Sequence, residues 1–200
     1  MPQGPMNINV AKKTDGYYAP IPLGVNNTLV VNALNGRKYN QAAAGSLFFG
    51  ANQSFVTLSA ALATTYVGLC LTNPAGSGKD LILRQVSAAI IIAPANFLAF
   101  GLMFGTGTVT HTTPVTPRAA RIGGAAGVGL LDAAATIPTP VWARWLANNL
   151  ATGGSPQFNG DMEGSILIPP GSFVAIGGNA AGPASGFAGS LEWEEVTAAA

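Results

Sequence analysis

"NPAGSGKDLILRQV", residues 73–86, closes a glycine-rich turn on Gly78-Lys79 and then runs into an apolar segment. Two readings compete. A phosphate-binding loop has the pattern Gly-x-x-x-x-Gly-Lys-Ser/Thr and opens a helix whose N-terminal amides hold the phosphates. Here the first glycine is replaced by Asn73, and the hydroxyl that would meet magnesium is replaced by Asp80, a carboxylate that repels phosphate. The residues that follow are partly alternating and rich in branched side chains, as in a strand. Turn chemistry accounts for the stretch better: Asn73-Pro74 starts a turn, Gly76 and Gly78 supply positive φ, and Lys79 and Asp80 polarise its tip. The stretch therefore reads as a hairpin-type connection between "YVGLCLT" (66–72) and "LILRQV" (81–86). No nucleotide, and no other cofactor, is expected.

Outward from this turn, short strand-like runs recur with Gly, Pro, Asn, Thr and Ser between them. They are "SLFF" (46–49), "SFVTLSA" (54–60), "TYVGLCLT" (65–72), "DLILRQVSAAIII" (80–92), "NFLAFGLMF" (96–104), "VWARWLANNL" (141–150), "SILIPP" (165–170), "SFVAIGG" (172–178) and "FAGSLEWEEV" (187–196). "VWARWLANNL" also fits one face of a helix, but Val141, Trp142 and the flanking prolines favour a strand. Residues 1–27, with Pro2, Pro5, Pro20 and Pro22, suit an extended N-terminal arm. "NNTLVVNAL" reads as a first strand over 27–34, and "NGRKYNQAAAGS" as a polar loop. The long separator 105–140 is expected to form an excursion used for contacts. Many strands without a βαβ pattern predict an all-β domain over 28–200, a β-sandwich or jelly roll.

Charged residues make up 8% of the 200 residues, against about 25% in an average soluble domain, and the net charge is +1. A surface with so little charge favours association. All nine bases lie in residues 1–150, whereas 151–200 hold five acids and no base. The single cysteine, Cys70, rules out an internal disulfide and reads as a small buried apolar residue. The single histidine, His111, reads as a surface-loop residue. The N-terminus lacks the apolar centre of a signal peptide. The uncharged stretch 86–117 is apolar enough to suggest a membrane span, but Pro94 and Asn96 divide it into strand-length pieces, so buried strands are expected instead.

Catalytic groupings are weak. Alternation in "GSLEWEEV" puts Leu191 and Trp193 on one face and Glu192 and Glu194 on the other, as a solvated strand face does. Asp161 with Glu163 forms no better pair, and no serine or cysteine has a base beside it. Arg118 and Arg121 are too few for general nucleic-acid binding but could meet a carboxylate on a partner. In the arm, Tyr17, Tyr18, Ile21 and Leu23 are suitable anchors for a groove on a neighbouring protein.

"GSILIPPGSFVAI" (164–176), followed by "GFAGSLEWEEV" (186–196), resembles the end of small β-rich structural proteins of tailed-bacteriophage virions. "TYVGLCLTNPAGSGKDLILRQV" (65–86) is similar to the middle of such proteins. The shared features belong to the scaffold. The resemblance implies a non-enzymatic virion protein of the capsid decoration or cement type, a trimeric jelly roll on the capsid surface. Its partner would be the major capsid protein or another virion protein, with no nucleic acid, membrane or small-molecule substrate. A head or tail fibre or receptor-binding domain is the alternative.

Overall fold

A computed structural model describes residues 38–60, 62–95, 97–148, 155–182 and 186–198, and the backbone of 9–12 and 18–20. The chain divides into two compact units, Met1–Arg37 and Lys38–Ala200. In the first, β1 (Asn9–Lys12) and β2 (Tyr18–Pro20) pair antiparallel. The strand expected over 27–34 lies outside the described residues.

The second unit opens with a six-residue helix, α1 (Tyr39–Ala44), where the sequence suggests a loop. Gly45 ends it in the left-handed conformation, returning its N–H to Ala42, as a C-terminal glycine commonly does. Eleven strands follow: β3 (Leu47–Ala51), β4 (Thr65–Asn73), β5 (Lys79–Ile90), β6 (Ala99–Thr106), β7 (Thr110–Val115), β8 (Arg118–Ala119), β9 (Leu130–Thr136), β10 (Val141–Asn148), β11 (Gln157–Ile168), β12 (Ser172–Gly178) and β13 (Phe187–Thr197). They form two antiparallel sheets, a six-stranded one in the order β10-β6-β12-β4-β9-β7 and a five-stranded one in the order β11-β5-β13-β3-β8. With β7, β8 and β9 set aside, eight strands remain in two four-stranded sheets, β10-β6-β12-β4 and β11-β5-β13-β3. That is the doubled Greek key of a jelly roll. The expected all-β sandwich is thus the fold. The stretch 105–140 is an insertion between β6 and β10, and it is not a free excursion: β9 and β7 extend one sheet beyond β4, and β8 extends the other beyond β3.

The core lies between the sheets. Alternate residues face it: Leu69 and Leu71 from β4, Leu81, Leu83 and Val86 from β5, Phe100 and Leu102 from β6, Val174 and Ile176 from β12, and Leu191 and Trp193 from β13. Trp193 is fully buried and stacks on Phe48, with ring centroids 6.2 Å apart. "SFVTLSA" is not a strand; its one ladder contact is the bridge between Val56 and Phe187, and Leu58 plugs the end of the core.

The turn at 74–78 has the glycine conformations its sequence suggests, φ 78° at Gly76 and 65° at Gly78. It is not a hairpin, because β4 and β5 lie in different sheets and the turn arches between them. Asn73 holds this arch. Its side-chain amide donates to the Lys79 carbonyl at 2.7 Å and the Ile168 carbonyl at 2.8 Å, and its side-chain oxygen accepts from the Ser77 hydroxyl at 2.7 Å. Its own carbonyl accepts from Gly171 N–H at 2.9 Å. Gly171, at φ 78°, belongs to the Pro169-Pro170-Gly171 corner that carries β11 into β12. One buried asparagine therefore ties two arches together. Asn73→Ala removes the bonds to the Lys79 and Ile168 carbonyls, the second of them buried, and should cost roughly 2–3 kcal/mol in urea unfolding. Lys79→Ala, which removes no such bond, should stay within about 0.5 kcal/mol.

Candidate functional site

Strand direction puts the described residues of the four connections 52–64, 91–98, 149–156 and 179–186 at one end of the sandwich, since each connection leaves or enters a strand there. None of the four contains a charged residue or the histidine. Three of them are joined through the backbone around 179–187: Val56 and Phe187 exchange bonds of 3.1 and 2.8 Å, Ile91 N–H donates to Gly186 at 2.7 Å, and Gly182 N–H to Leu58 at 2.8 Å. From this end Phe55, Leu62, Ile91, Ile92 and Phe97 project, Phe55 and Phe97 with more than half of their surface exposed (56% and 61%). Beside Phe97, Pro94, Leu98 and Ala180 line an apolar hollow of about 360 Å³. A charge-free end with five exposed large apolar side chains is the kind of surface that marks a contact site. The sequence signal is the uncharged stretch 86–117; both Val86–Ile90 and Leu98–Met103 contribute to the interior, and Ile91, Ile92 and Phe97 between them supply this surface.

The predicted contact residues are scattered. Arg118 opens β8, paired across the ladder with Phe49. Arg121 lies beyond β8 in an exposed turn closed by Gly124 N–H on the Arg121 carbonyl. Tyr18 begins β2, while Tyr17, Ile21 and Leu23 lie outside the described residues. Two of the C-terminal acids find bases within the chain: Glu192 pairs with Lys38 at 2.5 Å and Glu194 with Arg84. Of the tryptophans, Trp193 is core, whereas Trp142 and Trp145 lie against each other on edge strand β10, their ring centroids 4.2 Å apart and their planes inclined by 31°, with Trp145 half exposed.

Three carboxylates were misjudged or missed. Glu195 faces the core and accepts from Val128 N–H, Gly129 N–H and the Trp193 indole at 2.9–3.2 Å, which pins the insertion onto β13. Asp80 is buried, not at an exposed tip. Asp132, on β9, is fully enclosed on the outer face of the six-stranded sheet, and its Oδ2 lies 2.6 Å from Nδ1 of His111. His111 is thus a residue of β7 bonded to a buried acid, not a loop residue; its ladder partner on β9 is Ala135, and its ring reaches along the strand to Asp132. Cys70 is the cross-strand neighbour of Asp132. Burial pushes its thiol up to about 12, partly offset by the Thr72 hydroxyl, with the charge of Asp132 adding to the rise. Such a thiol stays protonated and is a poor nucleophile at neutral pH. Around it a second apolar cluster includes Met103, Phe173, Ala175 and Tyr66. Tyr66 donates to the Ile176 carbonyl at 2.7 Å and accepts from Leu69 N–H. Its hydroxyl occupies the space a Cβ would need at Gly68, where β4 bulges.

Among the described residues no three His, Cys, Asp or Glu are grouped so as to hold a metal ion, and no helix is long and apolar enough to cross a membrane. No known protein family, curated protein or solved structure matches the chain.

Burial raises the Asp132 carboxyl above its ordinary 3.8, against the smaller opposing pull of His111. The fold therefore holds this proton more tightly than the unfolded chain does. The associated stability is complete below about pH 3.8 and is lost as pH rises through the elevated value. Asp132→Asn keeps the shape without the charge. Urea unfolding should show the variant equal to the wild type near pH 3 and gaining on it as pH rises to 7; a constant gap across that range would contradict the assignment.

Proposed function

We propose that the chain is a non-enzymatic structural protein of a tailed-phage virion, a homotrimer that decorates or cements the capsid by bridging neighbouring subunits. The observation that carries this reading is the charge-free loop end with Phe55, Leu62, Ile91, Ile92 and Phe97 exposed on it. A protein with 8% charged residues has little else to keep such an end apart from its neighbours, and large exposed apolar patches are uncommon on monomers. The likeness of 65–86 and 164–196 to phage virion proteins supplies the setting. In this reading the loop end seats on the shell or on a second copy, and the arm of residues 1–27 reaches across with Tyr17, Tyr18, Ile21 and Leu23. Area provides the affinity, so no single contact dominates.

A fibre or receptor-binding domain on the head or tail is the second reading. The exposed Trp145 on edge strand β10 favours it, since an exposed tryptophan is a common anchor for a partner.

Ile92→Asp with Phe97→Asp tests the first reading. Both positions are exposed, so the fold should survive, with an unchanged circular dichroism spectrum. The wild type should sediment as a multimer at micromolar concentration, and the variant should dissociate or fail to bind particles. Electron cryo-microscopy of particles carrying the protein should place the loop end against the shell. Density at a tail tip instead would support the fibre reading, and a wild type that sediments as a stable monomer would remove the trimer.

A further inference from the structure

The outer face of the five-stranded sheet carries a row of side chains that neither the core nor the loop end uses. Lys38, just before α1, reaches over it to Glu192 Oε1 at 2.5 Å and Gln85 Oε1 at 3.3 Å. Gln85 in turn donates to Asn159 Oδ1 at 2.8 Å, and Ser87 donates to the same oxygen at 2.8 Å. These bonds run from β13 across β5 to β11 and fix the side chains before any ligand arrives. On the other side of Glu192, Phe49 presents a ring that is 42% exposed, and Arg118 stands next to it on β8. Gln85, Ser87, Glu192, Phe49 and Arg118 line one groove of about 550 Å³, walled by residues 114–116. The size lies in the usual range for a small-molecule site. A second hollow of about 670 Å³ continues it past Ser87 towards Asn159.

The charges in this groove do not cancel. Lys38 neutralises Glu192, while Arg118 has no hydrogen-bond or ionic partner among the described residues, which leaves one positive charge over. The floor is made of small residues, Gly50, Ala51, Ser87 and Ser190, so a flat ligand can lie against the sheet. A peptide adding itself as a strand has nothing to pair with here, because β3, β5 and β13 are each bonded on both sides.

We propose that this groove binds an acidic saccharide, a sugar chain bearing a carboxylate. The planar fork of Arg118 matches a carboxylate with two parallel bonds. Gln85, Asn159 and Glu192 offer the mixed donors and acceptors that neighbouring sugar hydroxyls require. The Phe49 ring covers the apolar C–H face of a pyranose. The site is independent of the contact surface proposed above, and a failure of either leaves the other standing.

Calorimetric titration of the full-length chain with trigalacturonate tests it, with maltotriose, inorganic phosphate and tetraglutamate as comparisons. Trigalacturonate should bind saturably and more weakly as salt rises. Arg118→Ala should lower the affinity at least about tenfold, as expected for loss of a charge-assisted pair, and Phe49→Ala severalfold. Both side chains are on the surface, so melting temperatures should confirm that the variants fold. The proposal fails if no saturable heat appears up to roughly 10 mM, a concentration beyond any useful site. It fails equally if Arg118→Ala binds as the wild type does, or if maltotriose or phosphate binds as well as trigalacturonate. Preferred binding of tetraglutamate would overturn it in favour of an acidic protein segment.

Discussion

Consecutive strands of the 38–198 unit are never neighbours in a sheet. Eight of the ten connections cross the gap between the sheets, and the two that stay in one sheet, β6 to β7 and β9 to β10, pass over other strands. Each crossing must span roughly 10 Å of packed core, so each end of the sandwich is a set of arches and not a set of hairpins. An arch leaves backbone groups without a ladder partner, and those groups need partners from elsewhere. Asn73 meets that need for two arches at one end. At the other, Asn52 does similar work, donating to the Gly68 carbonyl and accepting from Gly189 N–H. The side-chain amide, with donor and acceptor at one site, is the group suited to such a position.

The same topology sorts the surface. The four loops at one end come from the parts of the sequence with no charge. The opposite end carries the turn with Lys79, while the insertion lies along the edges of both sheets. The outer face of the five-stranded sheet gathers Lys38, Arg84, Glu192 and Glu194 into pairs. Two bases from the first part and two acids from the last part of the sequence therefore meet inside one subunit.

Much of the fold was legible because alternation and turn residues agree. "SFVAIGG" is β12 from end to end, and Leu191 and Trp193 face the core while Glu192 and Glu194 do not. The strands of the insertion were hidden for a physical reason. β7 is Thr-rich with Pro114, β9 is alanine-rich, and both lie outside the eight-stranded frame, so neither shows the pattern of a two-sided core strand. "SFVTLSA" misleads in the opposite direction: its apolar side chains plug the end of the core without joining a ladder. Which sheet a strand enters is not written locally either, and that is why the turn at 74–78 was recognised as a turn yet mistaken for a hairpin. The His111–Asp132 contact and the Phe49–Arg118 pairing depend on register between strands distant in sequence. Residue type alone gives no sign of them. Glu195 escaped because two adjacent acids of one strand face opposite ways: Glu194 points out, and Glu195 points in.

The place of β13 bears on how the chain is made. It is the last strand in the sequence, yet it sits in the middle of the five-stranded sheet, bonded to β5 on one side and β3 on the other. During synthesis β3 and β5 emerge long before it. Until residue 197 has left the ribosome, both present open edges to solvent, and the part of the core that Trp193 and Leu191 fill is empty. With no hairpin to form early, every ladder of this unit also waits on residues far apart in the chain, which makes for slow folding. Nascent chains of this kind are exposed to pairing with one another. A sheet closed by its final strand folds only as a whole.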